Sequence, residues 1–255
     1  MNYIVSGTTD VGLIKQTNQD SYCVRVFTTV RGKVVFAVLC DGMGGLSKGE
    51  VASASIVNAF LTWTETRLPV HASEGFQLEA IQLEWSNLIS EMNRKIVAYG
   101  NTIGGMVGTT VTAMLFVDER YLIANVGDTR AYEIFDSAKV LTNDQTVVAK
   151  EIAMGILSPE QAACDPRRNV LLQCIGATDE VCPDFYQGKI MQKAVYMLCS
   201  DGFRHEITPE EIYAYLQPEK MLNVADMKHN MDTLIELNKQ RAERDNITVI
   251  SIRTF

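Results

Sequence analysis

The spacing of apolar and polar positions changes period several times along the chain, and each change predicts an element. Ser21–Thr28 alternates loosely between apolar and polar residues, and Arg31-Gly32-Lys33 reads as a hairpin turn. Lys33–Cys40 (KVVFAVLC) is an almost continuous apolar run rich in β-branched residues, the pattern of a strand covered on both faces. It stops at Asp41-Gly42-Met43-Gly44-Gly45, a glycine-rich turn. The period then becomes helical. Glu50–Arg67 gathers Val51, Ala54, Ile56, Val57, Phe60, Leu61 and Trp63 largely on one side, and Leu78–Tyr99 does the same with Ile81, Trp85, Leu88, Ile89, Met92, Ile96 and Val97. Such bulky stripes belong to a core rather than to a binding site.

Strand-like runs return at Thr109–Val117, Tyr121–Val126 and Arg130–Phe135, with Asp118-Glu119-Arg120 as a turn between the first two. Residues 144–175 differ. They combine short helices, Asp144–Met154 and Pro159–Ala163 behind a Ser158 N-cap, with the polar connection Asp165-Pro166-Arg167-Arg168, and mark a candidate flap subdomain. Strands follow near Asp184–Ile190 and Ala194–Cys199, then helices at Pro209–Leu216 and Val224–Gln240, and a closing strand at Ile247–Ile252. Helices grouped between runs of strands predict an α+β domain, with two packed antiparallel sheets flanked by helices, rather than a doubly wound parallel sheet. Neither repeats nor Pro-rich linkers interrupt the chain, so residues 1–255 read as a single domain.

Composition narrows the function classes. The chain has 255 residues, 47% hydrophobic and 21% charged, enough to bury a substantial core. Its formal net charge of −8, from 23 basic and 31 acidic residues, argues against a nucleic-acid partner, which needs a cationic surplus. No stretch approaches the roughly 18–20 apolar residues of a membrane span. The N-terminal segment from Met1 to Gly7 lacks the basic start and apolar run of a signal peptide, and a cytoplasmic protein is expected. The six cysteines form no C-x-x-C pair; Cys23, Cys40 and Cys199 read as small buried hydrophobes in a reducing compartment.

The chemistry lies in where the acids fall. Asp20 opens a strand, while Asp41 and Asp201 each close an apolar one. Asp128 follows Tyr121–Val126, and Asp245 immediately precedes the last strand. Taken singly, an aspartate beside a glycine at a strand end is an ordinary turn former. Together, these positions would gather carboxylates at one rim, where they repel one another unless cations share them. Oxygen-only ligands suit Mg²⁺ or Mn²⁺, and two such ions about 3.5–4 Å apart can activate a water for in-line displacement at phosphorus. The carbonyl of Gly42 is a further candidate ligand, because glycine permits close backbone approach.

The ordered set resembles the type 2C metal-dependent protein phosphatases, most closely their bacterial members. The matching segments are Lys15–Asp20, Asp41–Gly45, Gly108–Thr110, Asn125–Arg130, Leu141–Asp144, Arg168–Leu171, Ser200–Gly202 and Asp245–Thr248. The resemblance implies a central β-sandwich with helices outside, two Mn²⁺ or Mg²⁺ ions, and hydrolysis of phosphoserine and phosphothreonine on proteins. Asp41 would bridge the ions, Asp20 and the Gly42 carbonyl would assist, and Asp201 and Asp245 would bind the other ion. Asp128 matches a position that holds a third, weaker ion in bacterial members. The segment 144–175 would be the flap beside the cleft. Phosphorylated proteins, an opposing serine/threonine kinase and a monomeric state are the implied partners and assembly.

Four positions depart from the family pattern. Lys15 stands where an arginine usually grips the substrate phosphate; it keeps the charge and loses the bidentate fork. Met43 stands where animal members carry a histidine, and it cannot donate a proton. Gln19 replaces a carboxylate of animal members, as is usual in the bacterial type. His205 stands where many members place an aspartate for the third ion; it reads either as a Mn²⁺ ligand or, more simply, as a surface residue. Two rival readings remain. A cysteine-based phosphatase needs an arginine six positions after its thiolate, but Cys199 is followed there by His205, with Arg204 one residue too soon. A catalytically weak or inactive regulatory module would be free to lose the carboxylates, and they are present.

Overall fold

A strand without a polar side must be covered on both faces, and the architecture follows from that requirement. In the computed structural model, which describes residues 1–43 and 48–255, the chain begins with β1 (Tyr3–Asp10), β2 (Ser21–Thr29), β3 (Gly32–Cys40) and the short β4 (Gly42–Met43). Three helices follow, α1 (Gly49–Thr66), α2 (Leu68–Glu74) and α3 (Leu78–Ile103). Next come β5 (Gly108–Thr109), β6 (Val111–Val117), β7 (Arg120–Val126), β8 (Arg130–Ile134) and β9 (Ala138–Val140). Residues 144–175 carry α4 (Val147–Ala153) and α5 (Pro159–Ala163). The chain ends with β10 (Asp184–Lys189), β11 (Val195–Cys199), α6 (Asp201–Arg204), α7 (Pro209–Leu216), α8 (Val224–Gln240) and β12 (Ile247–Thr254).

Two five-stranded sheets form, in the orders β1-β12-β11-β8-β9 and β10-β7-β6-β3-β2. Their neighbouring strands pair antiparallel throughout. Alternate side chains then serve different layers. On β3, Val34, Phe36, Val38 and Cys40 pack with Phe60 of α1 and Trp85 of α3, while Val35, Ala37 and Leu39 enter the space between the sheets. On β11, Tyr196 and Leu198 meet them there, and Val195, Met197 and Cys199 face Met227, Met231 and Leu234 of α8. The result is helix, sheet, sheet, helix, the α+β sandwich that the pattern predicts. Each large side chain fully buried in these layers contributes about 1.5–3 kcal/mol relative to exposure. Cys40 and Cys199 are buried and Cys23 partly so, as expected of small hydrophobes.

The structure adds elements that periodicity does not announce. β1 is polar along much of its length (Ser6, Gly7, Thr8, Thr9), yet it pairs with β12 from Tyr3↔Thr254 to Asp10↔Ile247. Gly7 is required there because a Cβ would lie 2.5 Å from the Tyr22 ring. α2, β9 and α6 are too short for a periodic signal. Within residues 144–175, the first helix begins at Val147 rather than Asp144, because Thr146 caps it by accepting the Ala149 N–H at 3.1 Å. Ser158 caps α5 as predicted, in a reciprocal capping box with Gln161. Gly44 and Gly45 of the glycine-rich turn lie outside the described residues. Among the described residues, no helix is long and apolar enough to cross a membrane.

One carboxylate ties the outer helices together. Glu84 of α3 accepts hydrogen bonds from Trp63 Nε1 of α1 (2.7 Å) and from Arg67 Nη2, at the junction of α1 and α2 (2.5 Å), and lies 3.1 Å from His71 Nε2 of α2. Burial works against its charge, but the bonds from Arg67, His71 and Trp63 outweigh burial and hold the carboxyl down to about 2. Because the folded value is depressed, this contribution is complete above about pH 4.5, the unfolded range, and is lost as pH falls toward 2. Glu84→Gln should therefore lower the melting temperature by about 3–6 °C at pH 7. The gap from wild type should narrow below about pH 4.5 in thermal melts followed by circular dichroism.

Candidate active site

In an antiparallel pair the end of one strand lies beside the start of its neighbour, so acids at strand ends and strand starts can share a rim. β3 ends at Cys40, and Cys40 pairs with Ser21, which puts Asp41 and Asp20 side by side just beyond that pair. β11 and β12 stand in the same relation, with Asp201 following the first and Asp245 preceding the second. Asp128 occupies the connection from β7 to β8. A cleft of about 250 Å³ opens at this rim, lined by Lys15, Asp41, Gly42, Asp128, Asp201 and Asp245, together with Gln19, Met43 and Thr110. Asp20 does not line the cleft; it is buried behind it, at 8% exposure.

Backbone and hydroxyl groups fix each acid. The Asp41 N–H donates to Thr110 Oγ1 and its carbonyl accepts from Thr109 Oγ1, both at 2.9 Å. Thr248 Oγ1 donates to Asp20 Oδ2, which links β12 of one sheet to the start of β2 in the other. The Thr248 N–H donates to Ser200 Oγ (3.0 Å), holding the segment before Asp201. Asn246 clasps the loop that carries Lys15: its Oδ1 accepts the Gln19 N–H (2.9 Å) and its Nδ2 donates to Val11 O (2.9 Å) and Thr17 O (3.3 Å). Two glycines allow this density. A Cβ on Gly42 would lie 2.4 Å from Gly49 O and 2.5 Å from Gln19 O, and one on Gly202 would lie 2.3 Å from Asn246 O.

The cluster is electrostatically strained. Burial pushes the Asp41 carboxyl well above the ordinary carboxylate range, and Asp20, Asp201, Asp128 and Asp245 push it further. Burial likewise raises Asp20 to about 7, against the stabilising bond from Thr248. Lys15 Nζ lies 2.7 Å from Asp245 Oδ1. Partial burial opposes its charge, but Asp245, Asp41 and Asp201 outweigh that and raise its pKa. Oδ1 of Asp20 and Oδ1 of Asp201 are buried without a hydrogen-bond partner. Orphaned carboxylate oxygens, crowded like charges and an all-oxygen donor set fit hard divalent cations. Among the described residues, no three His, Cys, Asp or Glu side chains already enclose one point. An open arrangement of this kind suits Mg²⁺-type ions, which keep several waters and take few protein ligands.

The structure therefore places Lys15, Asp41, Gly42, Asp128, Asp201 and Asp245 around one cleft, with Asp20 buried behind it. Met43 lines the same cleft with a thioether that has no proton to give. His205 is not a plain surface residue: it is 13% exposed, with Nε2 3.5 Å from Asp201 Oδ2 and Nδ1 3.3 Å from Glu243 Oε2. Burial opposes its protonation, but Glu243 and Asp201 outweigh burial and raise its pKa. Asp128 is also engaged, by Arg204. Glu243 and Arg204 are the residues that sequence reasoning missed. In the sequence Arg204 stands only as an arginine misplaced for a cysteine mechanism, and Glu243, two positions before Asp245, carries no motif of its own. Asn246, Thr248 and Thr110 lie within the quoted segments, where their supporting roles were signalled only by position.

Comparison with known proteins gives the geometry a lineage. A family model described as protein phosphatase 2C matches residues 14–236. The chain is 31% identical over 249 residues to the serine/threonine phosphatase stp of Listeria innocua, an alignment covering 96% of this chain and 93% of that one. The structure of the S. agalactiae serine/threonine phosphatase superposes with a TM-score of 0.86 at 29% identity, covering 100% of both chains. The catalytic domain of the serine threonine protein phosphatase PstP, solved in complex with two manganese ions, superposes with a TM-score of 0.77 at 27% identity, covering 98% of this chain and 97% of that one. The chain belongs to the protein phosphatase 2C family.

Proposed function

We propose that this chain hydrolyses phosphoserine and phosphothreonine on proteins, and that Asp20, Asp41, the Gly42 carbonyl, Asp201 and Asp245 hold a pair of Mn²⁺ or Mg²⁺ ions. The observation that carries the reading is the mutually repelling carboxylate set at one rim, in which Asp20 and Asp201 each hold an orphaned oxygen. When bound, the ions supply Lewis-acid stabilisation of the phosphoryl group and ready ionisation of the attacking water. The residues do the rest. Asp41, at the end of β3 and in the field of the other acids, is the central ligand. Asp201 and Asp245 approach from β11 and β12, and Asp20 supports from behind through its bond from Thr248. A water oxygen bonds to phosphorus in line with the departing seryl or threonyl oxygen, the phosphorus–oxygen ester bond breaks, and the alcohol takes a proton from solvent, since Met43 has none to give.

Lys15 is the phosphate-binding residue of this proposal. Its pair with Asp245 is half exposed, at 39% and 35% for the two side chains. Such a pair contributes at most about 1 kcal/mol, so Lys15 can turn to a phosphate oxygen at small cost. Asn169 and Leu171 bring the segment 144–175 to the cleft wall, where it acts as a flap that meets the phosphoprotein. The expected setting is a cytoplasmic monomer opposing a serine/threonine kinase, within a single domain spanning 1–255. The inactive-module reading has less support, because it leaves unexplained a crowded set of acids that costs the fold in mutual repulsion.

Purified protein should hydrolyse p-nitrophenyl phosphate and phosphothreonine peptides with added Mn²⁺ and lose that activity in excess EDTA. Asp41→Ala and Asp201→Ala should each lower turnover by more than roughly 100-fold. Full activity in EDTA or in either variant would sink the metal-centre reading. For Lys15, steady-state kinetics on p-nitrophenyl phosphate should give a KM raised roughly tenfold by Lys15→Ala. Lys15→Arg, which restores the fork, should leave KM equal or lower. An unchanged KM in Lys15→Ala would remove Lys15 from phosphate binding.

A further inference from the structure

Beside the catalytic cleft lies a second one of about 320 Å³, between the flap helices and the body of the protein. Arg130, Asp144, Arg204 and His205 belong to its wall, and Asn169 borders both clefts. Arg204 and Asp128 form part of the partition between them. Arg204 Nη2 donates to the Asp128 carbonyl at 2.9 Å and lies 3.5 Å from Asp128 Oδ2 and 3.3 Å from Asp144 Oδ2. Both partners are buried, with side-chain exposures of 12% for Arg204 and 8% for Asp128.

From this arrangement we propose that Arg204 is a resident cation at Asp128, so that Asp128 positions a fixed positive charge beside the metal pair and does not itself take up a third ion. Three features carry the inference. First, Asp144 is already claimed. Arg130 grips it with both ends of its fork, Nε to Oδ1 at 2.7 Å and Nη2 to Oδ2 at 2.8 Å, so Asp144 is shared between two guanidinium groups, while Asp128 offers Arg204 both its carbonyl and its carboxylate. Second, Arg204 Nε is buried with no partner, so the guanidinium is already short of acceptors. Drawing Asp128 toward a metal would leave a buried charge still less compensated, the costly way to break such a pair. Third, the neighbouring imidazole is occupied as well, since His205 lies between Asp201 and Glu243. The pair differs in this from Lys15–Asp245, which is exposed enough to exchange partners.

The count of ions rests on the two-ion site proposed above, whereas the pair itself does not, and the experiment separates them. Native mass spectrometry of the full chain, titrated with Mn²⁺ to millimolar concentration, should reach two ions per chain in wild type and three in Arg204→Ala. Arg204→Lys, which keeps a cation in place, should return the count to two. A third ion in wild type that is lost in Asp128→Asn overturns the proposal, as does a folded Arg204→Ala chain that stops at two. If Arg204→Ala does not fold, wild type and Asp128→Asn decide between them: equal counts support the proposal and a lower count in Asp128→Asn overturns it. In EDTA, a double-mutant cycle on melting temperature using Arg204→Met, which removes the charge, and Asp128→Asn reads the pair without metal. The combined change should fall short of the summed single shifts by about 2–4 °C, and strict additivity overturns the pairing. Absence of Mn²⁺ uptake together with a coupled cycle would sink the two-ion site and leave the pair standing.

Discussion

Mutual repulsion among buried carboxylates is the constraint around which this molecule is arranged. Asp20, Asp41, Asp128, Asp201 and Asp245 meet at one rim of the sandwich, and burial raises the cost of the charge on Asp20, Asp41 and Asp128. A fold can tolerate such a cluster only if its backbone cannot retreat. The two sheets meet that need, because their strands are clamped on both faces and deliver the acids from fixed ends. The Thr248–Asp20 bond then ties one sheet to the other at the same rim. The stability held in the three apolar layers is what lets the rim stay unfavourable on its own and favourable toward divalent cations.

Positive side chains divide the same rim by their burial. Lys15 reaches Asp245 from a loop and remains open to solvent, so its contact is easily exchanged. Arg204 and His205 emerge from α6, immediately after Asp201, and are nearly enclosed. A shielded ion pair is hard to break one partner at a time, whereas an exposed one carries little energy. The same chemistry of cation on carboxylate therefore supplies a movable ligand on one side of the cleft and a permanent fixture on the other. Glu243 extends the fixture. It accepts the N–H groups of Arg244 (2.7 Å) and Asp245 (2.9 Å) while facing His205, so the turn that presents Asp245 and the helix that presents Asp201 share one anchor.

Much of this was legible in the sequence, and the parts that were not share a physical reason. Continuous apolar runs such as Val34–Cys40 and Val195–Cys199 announce strands buried on both faces, and the acids at their ends announce the rim. β1 stayed hidden because an edge strand with Ser6, Gly7 and Thr8 shows little apolar period; its identity comes from the ladder to β12, which is a long-range property. The roles of Arg204 and Glu243 stayed hidden for a related reason. A residue whose role is to neutralise a distant neighbour carries no local pattern, and the pairing of His205 with Glu243 spans most of α7, α8 and the turn after them.

Glycine placement shows how closely the site depends on this long-range packing. Gly42 and Gly202 each follow a rim aspartate, which reads in sequence as an ordinary turn signal. In the structure neither is needed for a left-handed turn; neither has the positive φ that would demand it. They are needed because another backbone passes within a side chain's width, Gly49 and Gln19 at the first and Asn246 at the second. The two segments brought together at Gly202 are those that carry Asp201 and Asp245, and those brought together at Gly42 are those that carry Asp41 and Asp20. Close backbone approach is thus what sets the spacing of the acids, and the acids could not be crowded into one cleft by strands bearing any larger residue at those two positions.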